Sequence, residues 1–360
     1  MSDFVNYHII DCHTHIMEKH DPEAGARLVA LAHQAGIDKM VVLALGELKW
    51  GDGNAPIMLA KARNPQELFW FAGLDYAAIG GKVSHTHTLP FYEQIERLWA
   101  MGADGLKIIN GKPDFRKDSG IALDSPIYDP AFDKLAQLGM PLLWHVNDPE
   151  EFWDPEKAPA WASVPGWTYN ETYPSKELIH EETERMVARH TDVKIIFAHF
   201  YFLSADLPRA GRFLDQSPNV YLDLAPGIEM LHNFSANLDA AREFFIKYQD
   251  RILFGTDLVE NSPMSRVDVV RRCLETDEVF HVPTDEGLFW PDHRTTLRGM
   301  KLPEDVLKKI YAENFIRIVG KEPRPLDLEA VKAELTRLEA LAEQLGVTPN
   351  LAQAARAALA

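Results

Sequence analysis

Only two cysteines, Cys12 and Cys273, occur in 360 residues. That is too few for a disulfide scaffold, and their spacing fits no Cys-x-x-Cys pattern, so any metal site must do without thiolates and a reducing compartment is expected. No run of Lys or Arg appears, and the formal charge is −17. A nucleic acid or an anionic membrane is disfavoured as a partner on electrostatic grounds, which leaves a small-molecule substrate. No apolar run reaches the length of a membrane span, and the opening MSDFVNYHIID has neither a cationic n-region nor a long apolar h-region. A cytoplasmic, soluble protein is the expectation. There is no low-complexity linker and no internal repeat beyond the one described next.

What is present is an alternation. Apolar runs of strand length at about 7–12, 39–45, 68–76, 104–109, 141–146, 193–199, 219–224 and 251–256 are separated by stretches of helical period, several of them opened by Pro or closed by Gly. Eight strands each followed by a helix predict an α/β fold, a (β/α)8 TIM barrel over residues 1–322, whose functional groups belong at the C-terminal ends of the strands. Residues 323–360 read as a helical extension, with Val331, Leu335, Leu338, Ala342 and Leu345 at helical spacing and Gly346 as the stop. The extension is expected to pack on the barrel or on a partner subunit, so a homo-oligomer stays open. A long insertion at 147–175, after strand five, is rich in Trp, Tyr and Pro, and its aromatics Trp153, Trp161, Trp167 and Tyr169 are candidates to wall a pocket. A second candidate lid covers about 258–300.

Histidine occurs 14 times, and the tripeptide His-Thr-His twice, at 13–15 and at 85–87. Position separates the copies. His13 and His15 end strand one and, by the two-residue period, point to the same side. His85 and His87 follow no strand and read as a loop or helix start. His145, His199 and Asp257 close strands five, six and eight, so five metal-capable side chains share one end of the predicted barrel. Three imidazoles and a carboxylate suit Zn²⁺ first, and also Mn²⁺, Fe²⁺ or Co²⁺. Asn147, Tyr201, Asp223 and Glu229 stand near strand ends as pocket-lining or packing residues.

At these residues, in IIDCHTHI, GLKII, PLLWH, KIIFAHF, NVYLDL, YQDRILFGTD and the later LPEDVLKKIYAENFIRIVG, the chain resembles the amidohydrolase superfamily. More narrowly, it is similar to the amidohydrolase family 2 branch, which contains both hydrolases and decarboxylases. The resemblance implies that His13, His15, His145 and Asp257 hold one divalent metal and that His199 acts beside it as a general acid/base. It also implies that Lys107, on strand four, is a substrate-carboxylate contact or a supporting group, its alternative being the carboxylated bridging lysine of binuclear relatives. Both histidines of the first pair are kept, whereas some family decarboxylases carry glutamate at the first. No arginine pair stands where the aminocarboxymuconate-type enzyme would hold a dicarboxylate.

Hydrolysis of an amide, lactone or related bond by a metal-activated water is the expected reaction, with Asp257 or His199 moving the proton. Non-oxidative decarboxylation of an aromatic or unsaturated acid is the alternative, and a barrel that binds metal or ligand without turnover is the third. Candidate substrate contacts are Lys107, Trp167, Tyr169 and Tyr201.

Overall fold

The computed structural model describes residues 4–45, 53–76, 89–286, 296–348 and 350–359. The apolar runs form the strands β1 (Ile10–Thr14), β2 (Lys39–Leu43), β3 (Leu68–Ala72), β4 (Gly105–Gly111), β5 (Leu142–Val146), β6 (Ile195–Phe197), β7 (Val220–Asp223) and β8 (Ile252–Leu253). Neighbours pair in parallel and in chain order from β1 to β8. The segment that follows β8 closes the ring against β1: Cys12 N donates to Phe254 O (2.9 Å), Asp257 N to His13 O (2.9 Å) and His15 N to Leu258 O (2.8 Å). With helices between the strands, this is a (β/α)8 barrel.

Two-residue alternation sorts the strand side chains. Ile10, Cys12, Val41, Leu43, Phe69, Phe71, Leu143 and Ile196 form an interior cluster, while Val42, Trp70, Trp144, Phe197 and Leu222 pack against the helices. Strict alternation from the inward Cys12 would turn His13 outward. Instead, β1 pairs Asp11 with Met40 and Thr14 with Val42, three residues against two on β2. That extra residue is a bulge, and it resets the parity so that His13 and His15 face the barrel mouth.

The insertion at 147–175 contains short 3₁₀ turns at Glu150–Trp153 and Ala160–Ser163. Its Phe152 and Tyr169 form a small core with Ile228, flanked by Trp153, Trp167 and Tyr173. Much of its aromatic content is therefore spent on packing the insertion itself. The region expected as a second lid holds a helix, Ser265–Glu275, and a hairpin, Val279–His281 with Thr296–Arg298; its residues 287–295 lie outside the described residues, as do His85 and His87.

In the C-terminal extension the helix Leu328–Leu345 buries Val331, Leu335, Leu338 and Ala342 and ends at Gly346 with φ +66°. It contacts the barrel helices Ala55–Arg63 and Phe91–Met101, and the final helix, Leu351–Leu359, lies against it and against Ala55–Arg63. The apolar stripe is thus covered within this chain. Among the described residues no helix is long and apolar enough to cross a membrane.

Candidate metal centre

His13, His15 and Asp257 each offer a ligand atom within 4.8 Å of the others. Asp257 Oδ1 stands 3.5 Å from His13 Nε2 and 3.4 Å from His15 Nε2. What aims the imidazoles is the hydrogen bonding of their other nitrogens. His13 Nδ1 donates to Asp223 Oδ2 (2.8 Å), and His15 Nδ1 donates to Leu43 O (3.0 Å). The proton is thereby held on Nδ1 and a lone pair is left on each Nε2.

Two further rings complete the cluster. The His199 ring lies 4.9 Å from that of His13, with Nδ1 donating to Ala225 O (3.0 Å). His145 lies 4.8 Å from His199 and is turned the other way, its Nε2 bonded to Asn147 O (2.9 Å) and to Asp148 Oδ1 (3.2 Å). Only Nδ1 of His145 remains to act as a donor atom. The structure therefore gathers His13, His15 and Asp257 at one point, with His199 beside His13 and His145 beyond it.

The electrostatics suit a cation. Burial lowers His15 to about 4 and His145 to about 3, and drives His13 well below the usual histidine range. All three rings are neutral at pH 7. Burial would raise the Asp257 carboxyl, but in acid the protonated forms of His13, His15 and His199 outweigh it and place the group below the usual carboxylate range, so at pH 7 the carboxylate is ionised. Converging imidazole nitrogens and an ionised carboxylate are the donor set of a divalent metal, so the residues fit the ion.

The backbone at these strand ends is unusual. His199, Phe200, Tyr201 and Phe202 have φ of 55°, 57°, 57° and 50°, and Asn147 and Asp257 have φ of 67° and 57°. Left-handed geometry costs roughly 1–2 kcal/mol for a residue with a side chain. Such strain persists where surrounding bonds impose it, and it concentrates at functional sites. Here Asp223 Oδ1 accepts from His199 N (2.8 Å) while Oδ2 holds His13, so one buried carboxylate sets two rings of the cluster.

The sequence offers Asp223 only as a possible lining residue, and its one signal there is its position at the end of β7. Asp11 plays a similar part, accepting from His13 N (3.0 Å) and from the Thr256 hydroxyl, which pins β1 to the chain after β8. Asp148, three residues after His145, is the third acid of this kind. We expect Asp223→Asn to weaken divalent-metal binding about 10–100-fold, measured by competitive metal titration; unchanged affinity would remove Asp223 from this role.

Other expected contacts are placed differently. Tyr201 is fully buried, packed on Phe197 and Phe213 (ring centroids 4.3 and 5.0 Å) and on His180. The left-handed turn directs it into the wall between strand and helices, away from the mouth. Tyr169 is buried and donates its hydroxyl to Asp148, so it bears on the cluster through His145. Trp167 stacks on Phe152 and carries the Lys112 ammonium 4.5 Å from its ring centre. Lys107 lies on the inner side of β4, level with Leu143 of β5, one layer beneath His145. Its Nζ is buried without a hydrogen-bond partner among the described residues.

A barrel with this group of residues at the C-terminal ends of its strands is the framework of a metal-dependent enzyme. The sequence model of the amidohydrolase family matches residues 10–321, and the chain belongs to that family, whose members are metal-dependent hydrolases or decarboxylases. Among solved structures it is similar to a dihydroxybenzoic acid decarboxylase from a Polaromonas species, solved with manganese and 2-nitroresorcinol, at 16% identity and a TM-score of 0.54 over 87% of this chain and 97% of that one. It is also similar to 5-carboxyvanillate decarboxylase from Sphingomonas paucimobilis (14%, TM-score 0.53, 87% and 99%). A third is a probable 2-pyrone-4,6-dicarboxylic acid hydrolase from Acinetobacter baumannii (13%, TM-score 0.51, 88% and 100%). At these identities the likeness is one of fold. Among curated proteins no sequence match is found.

Proposed function

We propose that this protein is a metal-dependent hydrolase that cleaves an amide, lactone or related carbonyl bond of a small molecule. The observation that carries the reading is the contrast between Asp257 and Lys107. The carboxylate stands ionised at the mouth against two imidazoles. The lysine that would anchor a substrate carboxylate for decarboxylation is sealed beneath it. Two cations near the mouth are already engaged: Lys112 pairs with Asp148 (2.7 Å) and Arg266 with Glu286 (2.8 Å).

In this reading His13, His15 and Asp257, with Nδ1 of His145, hold one divalent ion, zinc by ligand chemistry. When bound, that ion supplies a Lewis acid and lowers the pKa of water. Asp257, ionised at neutral pH, accepts the proton released by the attacking water and hands it to the leaving group. His199, its Nδ1 occupied by Ala225 O, presents Nε2 for proton exchange with the substrate. Tyr169 and Asp148 hold His145, and Asp223 holds His13 and the start of the left-handed turn.

The test is a screen of the zinc- and manganese-loaded protein in ¹⁸O-labelled water against amides, lactones and aromatic or unsaturated acids. Incorporation of labelled oxygen into product without CO₂ is expected. Release of CO₂ without solvent oxygen in the product would replace hydrolysis by decarboxylation. Tight metal binding with neither outcome across the panel would favour a non-catalytic barrel.

A further inference from the structure

A cavity of about 390 Å³ shares a wall with the imidazole cluster. That wall is Phe202, whose ring lies 5.2 Å from His199 and 5.6 Å from His145 and which also lines the cavity. Among the other residues that line it are Glu150, Glu151, Trp153, Lys176 and Glu229, together with Asp154 and Lys157. The last two neutralise each other in an ion pair of 2.9 Å. Three carboxylates, Glu150, Glu151 and Glu229, then face one ammonium, Lys176. The cavity is acidic.

Glu229 is the informative residue. It is only 5% exposed, and neither carboxylate oxygen has a hydrogen-bond partner among the described residues. It precedes the helix Met230–Ala236 but makes no side-chain capping bond to it. Gly227 makes room for it, since a Cβ there would come within 2.5 Å of Glu229 Oε2. Lys176 favours the ionised form, yet burial, with Glu151 adding to it, raises the carboxyl to about 7. A buried carboxylate without a donor is costly, and a bound cation that donates hydrogen bonds relieves that cost. Trp153 Nε1, in the same wall, is a buried donor also without a partner.

We propose that this cavity is a subsite for an ammonium group of the substrate, with Glu229 as its counter-ion, so that the molecule processed beside it bears an amine. The inference rests on the hydrolase reading for the reaction, and on the cavity alone for what is bound. Phe202 touches both, its ring against His145 and His199 on one side and lining the cavity on the other, and a substrate that uses both sites would have to pass around it, with the scissile bond on the histidine side and the amine on the other.

The probe is benzylammonium, compared with its neutral counterpart benzyl alcohol, by calorimetric titration of the full-length protein with and without zinc. Benzylammonium is expected to bind at least tenfold more tightly, and Glu229→Gln to erase the preference. Equal affinities in the wild type, or a preference that survives Glu229→Gln, overturns the proposal. Should Glu229→Gln fail to fold, Gly227→Ala displaces the carboxylate instead, and an undiminished preference there overturns it equally. A protein that prefers the ammonium but incorporates no solvent oxygen keeps the subsite and loses hydrolysis. One that hydrolyses neutral substrates and shows no preference keeps hydrolysis and loses the subsite.

Discussion

Asp257→Asn is expected to lower kcat/KM by roughly 10³-fold while leaving the fold in place. The substitution keeps the shape of the side chain and tolerates the backbone, because φ at this position is 57° and Asn adopts left-handed geometry more readily than most residues. What it removes is charge. The carboxylate is ionised at neutral pH, its carboxyl lying below the usual range, and an amide neither neutralises a divalent cation nor accepts a proton at neutral pH. Steady-state kinetics at saturating metal separate the two losses. If activity is recovered to within tenfold once enough metal is added, Asp257 is a ligand and not the proton acceptor. A wild-type rate without added metal would dismiss both roles.

Lys107→Met is expected to stabilise the metal-free protein by about 3 kcal/mol at pH 7. Burial is the main influence on this lysine; Asp223 and Asp257 oppose it only in part, and the ammonium falls from 10.5 to about 8. Its charged form is thus disfavoured in the folded state. Below about pH 8 the lysine is charged in both folded and unfolded chains, and the full cost is present. Between about 8 and 10.5 the unfolded chain holds the proton more strongly, so wild-type stability rises with pH. Methionine has a similar length, fills the same space and carries no proton. Its advantage should therefore be complete at pH 7 and fade to nothing above pH 10.5, as read from denaturant unfolding at both ends of the range. A destabilised variant at pH 7 would mean that Lys107 is paired with an anion in the working protein.

Much of this was legible in the chain. The apolar runs and their order specify the barrel, because parallel strands buried on both faces need continuous apolar residues and each crossover needs a helix. His13, His15, His145, His199 and Asp257 read as a group from their shared place at strand ends; the structure gathers His13, His15 and Asp257 at one point, with His199 against His13 and His145 against His199. Tyr201 was not readable in the same way. It follows His199 by two residues, and a continuing strand would have kept both on one face; the chain instead turns left-handed, and the side chain swings into the core. Lys107 carried a charge that suggested a substrate contact, but depth within the barrel is not written in a strand's sequence.

What the sequence determined by itself is the set of local preferences: where strands and helices form, that the tail helix is amphipathic, and which residue types collect at one end of the barrel. Tertiary structure decided orientation. The bulge in β1 turns His13 inward beside Cys12, Asp223 reaches from β7 to hold His13 and His199, and Phe202 divides the histidine cluster from the acidic cavity around Glu229. Asp223 lies 210 residues from His13, and local periodicity carries no information about a bond between groups that far apart. Ring direction, depth of burial and the missing partner of a carboxylate arise only when the barrel closes.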